Sequence, residues 1–159
     1  MAADSTLRRP AADQTLVDFA ISIAREAGEL TLGWFETPGL DVVQKTDGSP
    51  VTVADREAES LLRDRITVAH PDDSIIGEEG DDRSGSSGRT WILDPIDGTE
   101  SFIRGVPLYG TLVALVDEHG PAVGVVNLPA LDECIWAGRG RGCFANGQPA
   151  QVSERTNLS

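Results

Sequence analysis

Across residues 16–34 the apolar side chains Leu16, Phe19, Ala20, Ile23, Ala24, Ala27, Leu30 and Trp34 recur at steps of three and four, which predicts an amphipathic helix. Asp13 is suited to cap its start, and Thr37-Pro38-Gly39 supplies its stop. A short extended piece is expected at Val42-Val43, followed by a loop in the turn-forming run Lys45-Thr46-Asp47-Gly48-Ser49-Pro50. Ala54, Ala58, Leu61, Leu62, Ile66 and Ala69 draw a second helical face that ends before His70-Pro71.

The period then changes. Short apolar runs bounded by Gly, Pro and Asp predict strands at residues 74–77, 90–93, 111–116, 123–126 and 134–137. The acidic, Ser/Gly-rich run 81–88 carries no period and reads as a mobile surface loop. Asn146-Gly147 is a two-residue hairpin signal after Gly142-Cys143-Phe144-Ala145. Two amino-terminal helices packed on a mostly antiparallel sheet make an α+β domain over residues 13–159, preceded by a flexible amino-terminus at 1–12. There is no internal repeat and no interdomain linker.

A chain of 159 residues with 40% hydrophobic content can bury one ordinary core. Acids outnumber bases 26 to 13, and the formal charge of -13 argues against nucleic acid and against an anionic membrane as partners, and for cations. An acidic excess also serves as a solvated surface, so position has to decide its meaning. No apolar run approaches the ~18 residues of a membrane span, and the first ten residues hold arginines without an apolar core, so a cytoplasmic protein is expected. Cys134 and Cys143 are too few and too far apart for a metal knuckle, and both are read as reduced.

Three features carry candidate chemistry. In Trp91-Ile92-Leu93-Asp94-Pro95-Ile96-Asp97-Gly98-Thr99 an apolar strand runs directly into two carboxylates three residues apart. Pro95 stiffens that turn and Gly98 permits close backbone approach, so Asp94, Asp97 and a backbone carbonyl can converge on hard cations; an ordinary Asp-Gly turn is the alternative. Glu78-Glu79 likewise follows the short strand Ile75-Ile76-Gly77, where a solvated loop start would look the same. Thr52-Val53-Ala54-Asp55 opens a helix and taken alone resembles a capping box.

Taken together and in order, Lys45, Asp55, Gly77-Glu78-Glu79 and the run from Asp94 to Thr99 resemble the signature of the inositol-monophosphatase superfamily of metal-dependent phosphatases. The resemblance extends from the first helix to the Asn-Gly hairpin and rests chiefly on Asp94-Pro95-Ile96-Asp97-Gly98-Thr99, the other pieces gaining weight beside it. It implies the first domain of the sugar-phosphatase fold. It further implies Mg²⁺ ligation by Glu78, Asp94, Asp97 and the Ile96 carbonyl, with two or three ions and Mn²⁺ as a substitute. The Gly98 and Thr99 amides would bind the ester phosphate, as a helix amino-terminus does. Thr99 and Glu78 would position and deprotonate the attacking water, with Asp55 hydrogen-bonded to Thr99 and Lys45 approaching the phosphate region.

Ser101-Phe102-Ile103-Arg104-Gly105-Val106-Pro107 and Thr111-Leu112-Val113-Ala114-Leu115 are similar to the branch that hydrolyses histidinol phosphate in histidine synthesis. They are equally packing residues shared by several branches, with inositol-1-monophosphatase the nearest rival and a sugar or nucleotide phosphatase a further one. A non-catalytic metal- or phosphate-binding module is the expectation of a different class. Members of the family carry a second, α/β domain with a Trp-Asp motif, and no such pair follows Ser153. The resemblance therefore leads one to expect a fragment, a truncated product or a cleaved piece, paired as a homodimer or with the missing carboxy-terminal part.

Overall fold

The computed structural model describes residues 9–46 and 48–156. Most of the expected flexible amino-terminus, and Asp47 of the expected loop, lie outside the described residues. Helix α1 spans Gln14–Leu32, capped by Asp13, whose carboxylate accepts from the Thr15 amide at 2.9 Å. Its buried stripe is Val17, Ala20, Ile23, Ala24, Ala27, Gly28 and Thr31. A Cβ at Gly28 would overlap Asn127, so the missing side chain sets how closely the helix approaches the sheet. Helix α2 spans Val53–Ala69, and the capping box at its start is formed by Thr52 and Asp55.

Strand β1 (Val42–Gln44) pairs antiparallel with β2 (Pro50–Thr52), so the expected loop is the turn of a small hairpin that delivers the chain into α2. The main sheet holds β3 (Ser74–Gly77), β4 (Thr90–Asp97), β5 (Gly110–Asp117), β6 (Gly120–Leu128), β7 (Glu133–Gly138), β8 (Gly142–Ala145) and β9 (Gln148–Pro149), in that order. Only β3 and β4 are parallel; the remaining pairs are antiparallel. The domain is thus α+β with both long helices on a mixed, mostly antiparallel sheet. Asn146 and Gly147, both at positive φ, make the β8–β9 turn.

Both helices cover one face of the sheet. Trp91, Leu93, Val113, Leu115, Val123, Val125 and Cys134 meet Val17, Ile23, Leu62 and Ile66 there in one buried cluster. The opposite face is apolar and, among the described residues, uncovered. Its register runs Ile76, Ile92, Ala114, Gly124 across four strands and Leu112, Val126, Ile135, Ala145 beside it. Ile76, Ile92 and Val126 are 44%, 41% and 38% exposed on that face.

Residues 81–88 are exposed but tied down, which corrects the expectation of a mobile loop. The backbone of Arg83 bridges Ile75 in both directions, and its guanidinium reaches the carbonyls of His70, Pro71 and Asp73. Ser86 and Ser87 both donate to the Asp72 carbonyl. Both cysteines are free: Cys134 is buried opposite Asn127 and Cys143 lies opposite Ala137. Among the described residues no helix is long and apolar enough to cross a membrane.

Candidate metal and phosphate site

The site is built at the far end of β4, where the strand does not stop at Leu93 as its apolar run suggests but continues through a bulge. Asp94 pairs with Leu112 and Asp97 with Gly110, so three steps on β4 face two on β5. The buried hydroxyl of Thr111 donates to the Pro95 carbonyl at 3.0 Å and satisfies the backbone that the bulge frees. Gly98 follows at φ 87°, a conformation that favours glycine, and a Cβ there would lie 3.1 Å from the Leu108 carbonyl. A five-residue helix, α3 (Thr99–Ile103), then turns the chain away and buries Phe102 against Ile96 and Tyr109, so residues within 101–107 do serve core packing.

The bulge aims Asp94 at Glu78 on the loop after β3. Burial, the Glu78 charge with its hydrogen bond, and the Asp97 charge push the Asp94 carboxyl up to about 7. Its Oδ1 is buried and has no hydrogen-bond partner. An acid surrounded by acids, with one oxygen left unpartnered, suits a hard cation better than a structural hydrogen bond. Asp97 and Glu78 are exposed, and the Ile96 carbonyl faces Thr99.

Lys45, carried at the end of the β1–β2 hairpin, places its Nζ 2.7 Å from Glu78 Oε1 and 2.7 Å from Glu79 Oε1. Burial opposes its charge, but the hydrogen bonds and charges of Glu78 and Glu79 outweigh burial and raise its pKa. Burial raises the Glu79 carboxyl as well, with Lys45 acting in the other direction. Among the described residues no three Asp, Glu, His or Cys side chains close on a common point as a ready-made metal cage. The Lys45 ammonium instead neutralises the Glu pair, while Glu78 and Asp94 remain in hydrogen-bonding contact.

Asp55 serves both of its expected uses. Its Oδ2 accepts from the Thr52 amide at 2.8 Å and hydroxyl at 2.6 Å, completing the cap. Its Oδ1 receives the Thr99 hydroxyl at 3.3 Å, and that hydroxyl also lies 3.1 Å from the Ile96 carbonyl. Burial pushes the Asp55 carboxyl up against the opposing bonds from Thr52 and Thr99. One helix start therefore fixes the first side chain of α3, just beyond the β4 bulge.

The structure links Lys45 to Glu78, Asp94 to Glu78 and Asp97, and Thr99 to Asp55 and the Ile96 carbonyl, with Gly98 between Asp97 and Thr99. Two residues escaped the sequence reading. Glu59, 2% exposed, accepts the Glu79 and Gly80 amides, and Arg63 pairs with it. The signal available was a carboxylate on the apolar stripe of α2 with an arginine four residues on.

The chain belongs to the inositol monophosphatase family, whose model matches residues 12–159. It is 51% identical over 137 residues to a histidinol-phosphatase of Chlorobaculum parvum, covering 86% of this chain and 53% of that protein. It is 39% identical over 144 residues to a fructose-1,6-bisphosphatase/inositol-1-monophosphatase of Thermotoga maritima, covering 89% and 55%. Among solved structures, the extragenic suppressor protein suhB of Bartonella henselae superposes with a TM-score of 0.85 at 31% identity, covering 89% of this chain and 55% of that one. The chain spans about half the length of the curated relatives it matches.

Proposed function

We propose that this chain supplies the cation- and phosphate-binding part of a phosphomonoesterase that hydrolyses histidinol phosphate to histidinol. The observation that carries the reading is the buried, unpartnered Asp94 oxygen in a bulge that also presents Asp97 and the Ile96 carbonyl, with Thr99 just beyond it. The family match supports a phosphatase, and the 51% identity to a histidinol-phosphatase, against 39% to the bisphosphatase/inositol-1-monophosphatase, favours histidinol phosphate over inositol 1-phosphate.

In this reading Glu78, Asp94, Asp97 and the Ile96 carbonyl would hold Mg²⁺, for which Mn²⁺ can substitute. The bound ions supply a lowered water pKa and neutralise charge that develops on the leaving oxygen. The chain's own residues do the rest. Thr99, with its hydroxyl between Asp55 and the Ile96 carbonyl, orients the attacking water. Glu78 takes that water's proton as the new oxygen bond to phosphorus forms and the ester bond breaks, and the leaving oxygen takes a proton from solvent to depart as the alcohol. The backbone of Gly98 and Thr99 cradles the phosphate, and Lys45 brings positive charge toward it.

The test is phosphate release from histidinol phosphate and inositol 1-phosphate, side by side with Mg²⁺, in the protein carrying the full length of its relatives. Faster turnover of histidinol phosphate is expected. Equal or reversed rates move the protein to the inositol-1-phosphate reading, which the Thermotoga maritima relative supports. Heat on adding Mg²⁺ with no turnover of any ester would identify a binding module instead.

A further inference from the structure

We infer that Glu59 and Arg63 of α2 are positioning residues that set the Glu78–Glu79 turn against Asp94, an inference that rests on the reading of Glu78 as a cation ligand. Glu59 is almost fully buried, and its bonds go to backbone amides and to Arg63. Its Oε2 accepts the Glu79 amide at 2.7 Å and its Oε1 the Gly80 amide at 2.8 Å. The same Oε1 accepts Arg63 Nε at 2.7 Å. Arg63 then returns to the turn, donating to the Gly80 carbonyl at 3.0 Å and the Asp81 carbonyl at 2.9 Å.

Two successive amides and two successive carbonyls of one turn are thus gripped from a single helix. A carboxylate that accepts several backbone amides holds them in one geometry, and the charge-assisted pair with arginine fixes the carboxylate in turn. The packing leaves no slack. A Cβ at Gly77 would overlap both Glu59 Oε1 and Arg63, and a Cβ at Gly80 would sit 3.1 Å from Glu59 Oε1. The glycines on either side of Glu78-Glu79 therefore let the turn lie directly on the Glu59–Arg63 pair. With the backbone held there, Glu79 reaches Lys45 and Glu78 reaches Asp94. A ligand on a loop has to be held to within a fraction of an ångström to act with one on a strand, and this clamp supplies that restraint.

Glu59→Gln keeps the shape but turns an amide group toward the donors that the carboxylate accepted. Arg63→Lys keeps both charges but cannot span the two carbonyls, so a loss there reports position rather than field. Amide exchange at Glu79 and Gly80 should accelerate roughly tenfold or more in both variants, and Mn²⁺ affinity should fall about tenfold, as followed by electron paramagnetic resonance. Asp73→Asn, which disturbs a buried carboxylate at the opposite end of β4, should leave Mn²⁺ affinity unchanged. Wild-type exchange and wild-type affinity in a folded Glu59→Gln or Arg63→Lys chain would overturn the inference. So would an equal loss of affinity in Asp73→Asn. Failure of the wild-type chain to bind Mn²⁺, or equal binding by Asp94→Asn, would instead remove the cation-site reading, and the exchange data would still decide the clamp.

Discussion

Replacing Asp94 by Asn should stabilise the metal-free protein and abolish its response to divalent cations. In the folded chain the Asp94 carboxyl is pushed from its ordinary 3.8 up to about 7 by burial, Glu78 and Asp97. An acid whose pKa is raised on folding costs nothing below its unfolded pKa, and the cost grows as pH rises until it levels off above the folded one. Three pH units at about 1.4 kcal/mol each place that cost at about 4 kcal/mol at most, fully developed by about pH 8. At about pH 5.5 it is smaller by about 2 kcal/mol. An asparagine removes the charge and offers its amide to Glu78. Urea unfolding with a chelator should therefore find Asp94→Asn more stable than wild type at about pH 8, with an advantage that narrows toward about pH 5.5. Added Mn²⁺ should raise the wild-type midpoint and leave the variant's unmoved. A variant no more stable at about pH 8, or one that gains as much from Mn²⁺ as wild type, would refute the reasoning.

Other outcomes follow from single contacts. Lys45→Met should lower stability by about 1–3 kcal/mol in chemical denaturation, because Glu78 and Glu79 lose the ammonium 2.7 Å from each. Asp73→Ala should cost about 3–5 kcal/mol, since it strands the Trp91 indole N–H and unpairs Arg89 from a fully buried carboxylate. Hydrogen bonds from Ser87, Arg89 and Trp91 outweigh burial and hold the Asp73 carboxyl below its ordinary range. Its stabilisation should be present above about pH 4 and fade as the pH falls further, as acid titration of the melting temperature would show. The exposed sheet face around Ile76, Ile92 and Val126 should make the 159-residue chain self-associate. Sedimentation that shows a monomer across the concentration range would contradict this.

The parts of the fold that were legible in the sequence are those whose physics is local. Helix α1 announces itself because Ala20, Ile23, Ala24 and Ala27 fall on one face and Asp13 stands where a cap is needed. The β2 strand was not legible, since three residues beginning with Pro50 after a turn cluster have no period of their own and are extended only by pairing with β1. The continuation of β4 past Leu93 was hidden for a related reason. Asp94-Pro95 reads as a turn, and the bulge stays in the sheet through pairing with β5 on either side and the Thr111 hydroxyl on the neighbouring strand. Residues 81–88 look mobile by composition, yet Arg83 anchors them through carbonyls that no local pattern connects to it.

The candidate site followed the same division. Asp94, Ile96, Asp97, Gly98 and Thr99 stood out because one strand end presents them consecutively. Asp55 had two readings, and the structure uses both carboxylate oxygens, one for the cap and one for Thr99. Glu59 stayed hidden because its partners are backbone amides twenty residues further on, which no side-chain motif records.

The central claim, that the β4 bulge and the turn after β3 form one divalent-cation site, is tested most directly by titrating Mn²⁺ into isotope-labelled protein and reading paramagnetic broadening of the amide resonances. Broadening centred on Glu78, Asp94, Asp97, Gly98 and Thr99, reversed by excess Mg²⁺ and lost in Asp94→Asn, is the predicted result. Broadening spread over the surface acids near Asp81 and Glu118, or broadening at the same residues in Asp94→Asn, would contradict it.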